Sequence, residues 1–196
     1  MTTINRQLNL VIPLAREDGT TIYVHTTPIR FETFEFYYMV LAKTWSAFLQ
    51  NSLDPRTAPS VAALVLKETA KTTTRYPGVN WWDGSDGVGG ESGLLAELTR
   101  LSNVIAPSGE SGWSTITLRD AIDKTIITAE EKAEVLSLLT FFTVASQMPP
   151  KPDRKTIIQG MAAIYELQLI LSNSTEFANS LKMSKTDENI GENHPA

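Results

Sequence analysis

The sequence has no cysteine and only two histidines in 196 residues. Without cysteine there is no disulfide framework, no thiolate nucleophile and no Cys-ligated zinc. His25 and His194 lie near opposite ends of the chain, so a histidine-based active site is not expected. Basic residues are also scarce, with 17 Lys and Arg against 22 Asp and Glu, which gives a net charge of −5. This balance argues against nucleic acid as a partner, because phosphate binding depends on clustered cations.

Long apolar runs are missing as well. Spanning a bilayer takes roughly 18 to 20 consecutive apolar residues, and the longest candidate, Val135 to Met148, is interrupted by hydroxyl and amide side chains. The N-terminal residues lack the charged and apolar segments of a signal peptide. We therefore expect a cytoplasmic protein with no membrane contact, and 42% hydrophobic residues are enough to form a folded core.

The first part of the chain predicts a β-hairpin over residues 7 to 26. Leu8, Leu10, Ile12 and Leu14 alternate with other residues, Asp18-Gly19 favours a tight turn, and residues 22 to 25 return to an extended pattern. Because Pro13 cannot donate a backbone hydrogen bond, its strand should have an edge there. An isolated hairpin is only marginally stable, so it should dock on its own helices or on another subunit.

The remainder of the chain predicts helices. Apolar residues at helical spacing mark a long helix that ends near 53–55, a second over about 60–71 and a third over about 93–106. Their apolar faces contain Phe34, Tyr38, Leu41, Trp45 and Phe48, then Val61, Leu64 and Val65, then Leu94, Leu98, Leu101 and Ile105. The first helix also has apolar residues outside this face, namely Phe36, Tyr37 and Val40. A second side of the helix should therefore be covered as well, which points to self-association.

Capping patterns and prolines divide the second half of the chain. Thr117 with Asp120 opens a short helix, and Thr128 with Glu131 opens a longer one that runs towards Met148. The prolines in residues 149–152 must stop that helix and form a hinge or rigid spacer. Asp153 should cap a last amphipathic helix, whose apolar residues are Ile157, Met161, Ile164, Tyr165 and Leu171. The last dozen residues are expected to be disordered, because they contain few large apolar groups.

These elements predict a mainly α fold, with the N-terminal hairpin packed on a multi-helix body and a flexible C-terminal tail. The hairpin and the helical domain occupy residues 1–148, including a loop rich in glycine and tryptophan at 72–92. Residues 149–196 form the Pro-rich hinge, an amphipathic helix and a partly disordered tail.

The loop at 72–92 fits none of the common ligand-binding motifs. A phosphate loop is disfavoured because Gly90-Glu91 stands where Lys and a hydroxyl residue are needed. A dinucleotide fingerprint fails on glycine spacing, and the acidic residues of the loop do not have the spacing of a calcium loop. We therefore predict no cofactor and no metal. Paired acids such as Glu130-Glu131 are explained by helix capping, so no catalytic residues and no enzyme activity are expected.

Four aromatic residues are the candidate partner-binding residues: Trp81, Trp82, Phe36 and Tyr37. Trp81 and Trp82 lie in a loop longer than usual for compact domains, and tryptophan is frequent among interface hot spots. The alternative is that one or both fold back to cover an end of the helical core. Both interpretations stay open at this point.

Several segments together resemble the tail assembly chaperones of long-tailed, siphovirus-type bacteriophages. The resemblance covers residues 4–68 and 94–148, and the segments that carry it are Ile4–Leu14, Asp18-Gly19-Thr20, Ile22–His25, Thr27-Pro28-Ile29 and Phe141–Ser146. The motifs are packing segments, and the resemblance does not extend over the tryptophan loop or beyond Pro149.

The resemblance implies a factor made in the cytoplasm of the infected bacterium and absent from the mature virion. It would coat the phage tape measure protein, keep it soluble and help to recruit tail tube protein, without a nucleotide. Family members often have a longer product made by ribosomal frameshifting. The alternative function is a tail completion or connector protein that stays in the virion. A small-molecule hydrolase is the enzyme alternative, although no nucleophile, base and orienting group stand at a recognisable spacing.

Overall fold

The computed structural model of the protein describes residues 8–187, except 52, 54–56, 75–79, 85 and 110–111. The described part contains five strands and seven helices. In chain order they are β1 (Asn9–Ala15), β2 (Thr21–Thr26), α1 (Phe31–Gln50), α2 (Ala58–Lys71), α3 (Leu94–Arg100), β3 (Ser102–Ser108), β4 (Gly112–Thr117), α4 (Leu118–Asp123), α5 (Ala129–Gln147), α6 (Lys151–Ile164), β5 (Gln168–Ile170) and α7 (Ser174–Asp187).

The strands form one antiparallel sheet in the order β4-β3-β2-β1-β5. The prediction of a mainly α fold is therefore wrong, since the chain has an α+β fold with a five-stranded sheet. The predicted hairpin is the centre of that sheet rather than an appendage on a helical body. It docks both on the chain's own helices and on further strands.

The helix predicted over about 93–106 is one source of the error, and strands β4 and β5, which were not predicted, are the other. Leu94 and Leu98 do lie on a helix, but α3 ends at Arg100 and β3 begins at Ser102. Leu101 and Ile105 keep the helical spacing by coincidence across this boundary. The Ser102 hydroxyl, which is fully buried, donates to the Leu98 carbonyl at 2.7 Å and meets the Thr26 hydroxyl at 2.7 Å.

The hairpin prediction is confirmed, with β1 and β2 paired from Leu10 opposite Thr26 to Ala15 opposite Thr21. Gly19 adopts φ +80°, which glycine tolerates without steric cost. The Asp18 carboxylate accepts from the backbone N–H of Thr20 at 2.8 Å and from its hydroxyl at 2.6 Å. These bonds explain why the Asp-Gly turn closes the hairpin in this register.

The sheet is covered on both faces. On one face Ile12, Ile22 and Val24 belong to a large core that includes residues of helices α1 to α6. On the other face Val11 and Ile105 pack against Phe177 and Ala178 of α7. The ring of Tyr23 lies 5.6 Å from Trp113 and 5.4 Å from Phe177, centroid to centroid. The molecule is therefore a three-layer arrangement with the sheet in the middle.

The C-terminal segment is more ordered than the sequence indicates. The amphipathic helix exists as α6, but Pro150 is its N-cap and Asp153 lies inside its first turn. Leu171 follows β5 instead of continuing the helix. Strand β5 pairs with Asn9–Val11 of β1, and α7 continues to Asp187. The predicted disorder of the last dozen residues falls largely on 188–196, which are outside the described residues.

Two of the predicted apolar faces differ from the observed ones. In α1 the predicted residues Phe34, Leu41 and Phe48 are buried, but Tyr38 is exposed. The buried side also contains Tyr37, Val40 and Thr44. In α2 the buried residues are mostly alanines together with Leu66, and Leu64 is exposed. Alanines allow a close approach between helices, and α2 has its most extensive contact with α5.

Both predicted helix caps are confirmed. The Thr117 hydroxyl accepts from the backbone N–H of Asp120, and Thr128 with Glu131 forms a complete capping box. Glu131 also forms a bidentate ion pair with Arg16, with Nε–Oε1 at 2.8 Å and Nη2–Oε2 at 3.1 Å. This pair connects the hairpin turn to the start of α5. The hydrogen bond from Arg16 is the main reason why the pKa of Glu131 lies below its usual value, with contributions from Thr128.

The Arg16–Glu131 pair predicts a specific dependence of stability on pH. Because the pKa of Glu131 is lower in the folded state than in the unfolded state, the pair stabilises the fold above the unfolded pKa, and the gain is lost as the pH falls through the folded pKa. We expect Glu131→Gln to lower the free energy of unfolding by about 1–2 kcal/mol at neutral pH. The difference in free energy of unfolding between the wild type and Glu131→Gln should become smaller as the pH falls. Urea titrations across pH measure it, with Glu130→Gln as the control in the same helical turn. An equal deficit at every pH would contradict the prediction.

A second prediction concerns Glu166, which follows α6 with φ +55°. This left-handed conformation allows the backbone N–H of Leu167 to donate to the Ala162 carbonyl at 2.8 Å, but it is unfavourable for residues with a Cβ. Glu166→Gly should therefore stabilise the protein by about 0.5–1 kcal/mol, because relief of strain outweighs the added freedom of the unfolded chain. Glu166→Ala is the control, and thermal unfolding is the measurement. A Glu166→Gly variant no more stable than Glu166→Ala would refute this account.

Candidate functional site

A groove of about 530 Å³ lies beside the open end of the hairpin. It is enclosed by β1, β2, the segment that leads into α1, and parts of α3, α5, α6 and β5. The lining residues are Leu8, Leu10, Thr26, Thr27, Pro28, Ile29, Leu98, Leu139, Phe142, Thr143, Ser146, Gln147, Arg154, Lys155, Ile158, Gln159 and Leu169. We refer to this cavity as the α5–α6 groove.

The floor of the α5–α6 groove is apolar, whereas its rim is polar. Leu98, Leu139 and Phe142 are buried and form part of the large core. Hydroxyl and amide side chains of α5 and α6, including Thr143 and Gln159, surround this floor. Such a site can hold apolar groups at its base and offer hydrogen bonds at its mouth, which is typical of binding pockets.

Two cations stand on the α6 wall of the groove, and none of its lining residues is acidic. The Arg154 guanidinium donates from Nε to the Pro149 carbonyl at 2.7 Å, and its Nη2 donates to the Gln147 carbonyl. It therefore binds the carbonyls at the end of α5 and is held in place. Lys155 is exposed beside it. The wall is positively charged although the whole chain is acidic.

The sequence analysis missed the α5–α6 groove, although α5 contains a signal for it. Leu139, Phe142, Thr143 and Ser146 recur at helical spacing and face the cavity together. Helix α5 is apolar nearly all round, so its periodicity alone does not distinguish this face from the buried ones. The other walls come from segments far apart in sequence, and only the fold brings them together.

The structure brings the four predicted partner-binding aromatics into one neighbourhood. The Trp81 ring lies 5.8 Å from Phe36 and 6.0 Å from Tyr37, while Lys67 Nζ lies 5.6 Å from the Trp82 ring. Trp81 and Tyr37 are buried, whereas Trp82 is half-buried and Phe36 is exposed. Trp81 thus folds back on the core, which agrees with the interpretation that a tryptophan of this loop covers the core. That these residues bind a partner stays a prediction.

The glycines of this loop explain how Trp81 is held. The backbone N–H of Val88 donates to the Trp81 carbonyl at 2.9 Å. A Cβ added to Gly87 would lie 2.0 Å from that carbonyl oxygen, and one added to Gly93 would lie 1.9 Å from the Gly87 oxygen. Only residues without a side chain allow the backbone segments to approach this closely. The glycine-rich composition therefore has a structural cause in the described part of the loop.

His25 is a packed residue of the sheet. It is buried in β2, and its Nε2 lies 2.9 Å from the Ser172 carbonyl oxygen. Asn9 donates to the same carbonyl at 2.9 Å. Because a carbonyl only accepts, Nε2 carries the proton. His25 and Asn9 together fix the connection between β5 and α7.

The described residues contain no cluster of three or more His, Cys, Asp or Glu side chains that could hold a metal. Among the described helices, none combines the length and the apolarity needed to cross a membrane. Comparison of the chain with protein families, curated proteins and solved structures gave no match.

The placement of the two tryptophans predicts different effects for their removal. Trp81→Ala should lower the free energy of unfolding by about 3–5 kcal/mol, because it leaves a cavity beside Phe36 and Tyr37. Trp82→Ala should cost about 1 kcal/mol, since it loses a half-exposed ring and its contact with Lys67. Chemical denaturation of both variants provides the comparison. Equal effects would contradict the observed burial.

Proposed function

We propose that the protein is an assembly factor of the tail-assembly-chaperone kind, which binds the tape measure protein and is not an enzyme. The α5–α6 groove receives an apolar helical segment of that client. The single observation that carries the proposal is a cavity of about 530 Å³ with an apolar floor, a polar rim and a cationic wall. The resemblance of the hairpin and of Phe141–Ser146 to this family supports the same function.

The groove suggests the chemistry of the bound segment. Leu139 and Phe142 at the floor suit large apolar side chains that repeat on one face of a helix. Arg154 and Lys155 suit acidic side chains next to that face. The preferred segment is therefore an amphipathic helix with apolar anchors and neighbouring acids, which would otherwise expose its apolar face to water.

The size of the groove also suits reversible binding. It can take only a few side chains of a long client, so the affinity of one site should be moderate. When many copies bind along one filament, their total affinity for the client is higher, since each added site acts at a high effective concentration. The tail tube protein can then displace the copies one by one by competing for the same apolar face. Release needs no nucleotide in this scheme.

The first test is co-expression with the tape measure protein of the same virus. We expect the wild-type chain to raise the soluble fraction of that client. Ser146→Trp, which fills the groove, and Ile158→Glu, which places a charge beside its floor, should reduce the soluble fraction at least tenfold. The matched controls are Ala133→Trp on the exposed side of α5 and Ala163→Glu on the exposed side of α6. Circular dichroism establishes that all four variants are folded.

Two outcomes would overturn the proposal. A tape measure protein that is equally soluble without the chain contradicts the chaperone function. Groove variants that remain folded and fully active contradict the assigned surface. Mass spectrometry of purified virions addresses the alternative, because a completion or connector protein stays in the particle whereas an assembly factor is missing from it.

A further inference from the structure

Helix α1 has a second apolar stripe, part of which is exposed. The stripe consists of Phe31, Glu35, Tyr38, Ala42, Trp45 and Leu49, and we call it the α1 stripe. Phe31 is 61% exposed, Tyr38 50% and Leu49 64%, while Ala42 and Trp45 are half-buried. The stripe follows the length of the helix, and all of its residues except Glu35 are apolar or aromatic.

The spacing of the α1 stripe is that of a helix-pairing seam. Its residues alternate at separations of four and three along the chain, which is the repeat by which one helix packs along another. The helix has 20 residues, which corresponds to about 30 Å. An isolated apolar residue on a surface is ordinary, whereas the exposed residues Phe31, Tyr38 and Leu49 recur along one seam, which is more typical of an interface.

The stripe is complementary to itself when two copies run antiparallel. Its residues are arranged symmetrically about position 40, so a two-fold axis there brings Phe31 opposite Leu49 and Tyr38 opposite Ala42. The large Tyr38 thus meets the small Ala42, and the same contact occurs twice across the axis. A parallel pair would instead place Tyr38 against Tyr38 and leave Ala42 against Ala42.

The polar residues favour the same arrangement. In the antiparallel pair Glu35 stands opposite Trp45, whose indole N–H can donate to the carboxylate. Within the described part of the chain, neither the Glu35 carboxylate nor the Trp45 indole has a hydrogen-bond partner. A parallel pair would place the two Glu35 carboxylates side by side, which is unfavourable.

We propose that the protein forms a two-fold symmetric dimer through antiparallel pairing of the α1 stripes of two copies. One helix on each side is a small interface, so the dimer should dissociate at micromolar concentrations. The α1 stripe shares no residue with the lining of the α5–α6 groove, so each copy keeps its groove for a client. A dimer therefore presents two grooves, which suits binding along a repetitive filament.

Analytical ultracentrifugation of the full chain over the micromolar range tests the proposal. We expect a concentration-dependent dimer in the wild type and a weakening of at least tenfold in Leu49→Arg. Leu64→Arg on α2 is the matched control, because Leu64 is a leucine of similar exposure, 59%, outside the stripe. A wild type that stays monomeric throughout, or a control variant that dissociates as readily as Leu49→Arg, overturns the proposal.

The symmetry of the pair gives a sharper test. Tyr38→Ala and Ala42→Tyr should each weaken the dimer, whereas the double variant exchanges the two sides and should restore it. Because the chain has no cysteine, Tyr38→Cys and Ala42→Cys can be cross-linked on a clean background. Mixing these two variants should give a cross-linked heterodimer, while Tyr38→Cys alone should cross-link poorly. Efficient cross-linking of Tyr38→Cys with itself contradicts the antiparallel arrangement.

The dimer and the proposed function can fail separately. Stripe variants that abolish the dimer but keep the client soluble leave the chaperone function intact. Groove variants that lose client binding should still dimerise. If the wild type is a monomer and stripe variants nevertheless abolish client binding, the α1 stripe is a surface for the client and the dimer proposal is wrong.

Discussion

The structure depends on one constraint, which is that both faces of the central sheet are apolar and must be kept from water. Ile12, Ile22 and Val24 on one face, and Val11 and Ile105 on the other, are buried with at most 1% of their surface exposed. Burial of one such side chain contributes about 1.5–3 kcal/mol. The helices α1 to α6 cover the first face, and among the described helices α7 alone covers the second. The chain therefore needs its C-terminal segment for the fold as well as for any function.

This constraint also locates the α5–α6 groove. Helix α6 and strand β5 form the crossing between the two faces, because the chain must leave the helical side, pass the edge of β1 and reach the opposite face. The groove occupies the place where this crossing leaves space beside α5. Arg154 holds the wall in place by binding the carbonyl of Gln147, the last residue of α5, and that of Pro149 just after it. The cavity is thus a consequence of the path that the chain takes.

Local signals in the sequence predicted local structure well. Asp18-Gly19 predicted the hairpin turn, and Thr117 and Thr128 predicted two helix starts, since each signal acts on its immediate neighbours. Strand β3 was missed because Leu101 and Ile105 satisfy helical spacing across a boundary that tertiary packing decides. The sequence does not predict the buried face of α2 correctly. An alanine is buried only where a neighbouring helix comes close, and the distance between two helices cannot be read from the sequence. The groove combines residues from seven segments, so no window of sequence could reveal it.

The aromatic residues of α1 divide into two groups that the sequence cannot separate. Tyr37 and Phe34 face the core, whereas Phe31 and Tyr38 face outward. A helix with apolar residues around most of its circumference needs cover from several sides. The sequence indicates this surplus, and the structure gives its direction.

Pro13 has a further consequence at the edge of the sheet. Strand β5 pairs with β1 only as far as Val11, so residues 12 to 15 have no neighbouring strand on that side within the described residues. An open strand of this kind is where sheets of separate molecules join and grow into fibrils. A proline at that point removes the donor on which such growth relies and interrupts the hydrogen-bonding ladder. Pro13 thus keeps the open part of β1 from pairing with a strand of another copy.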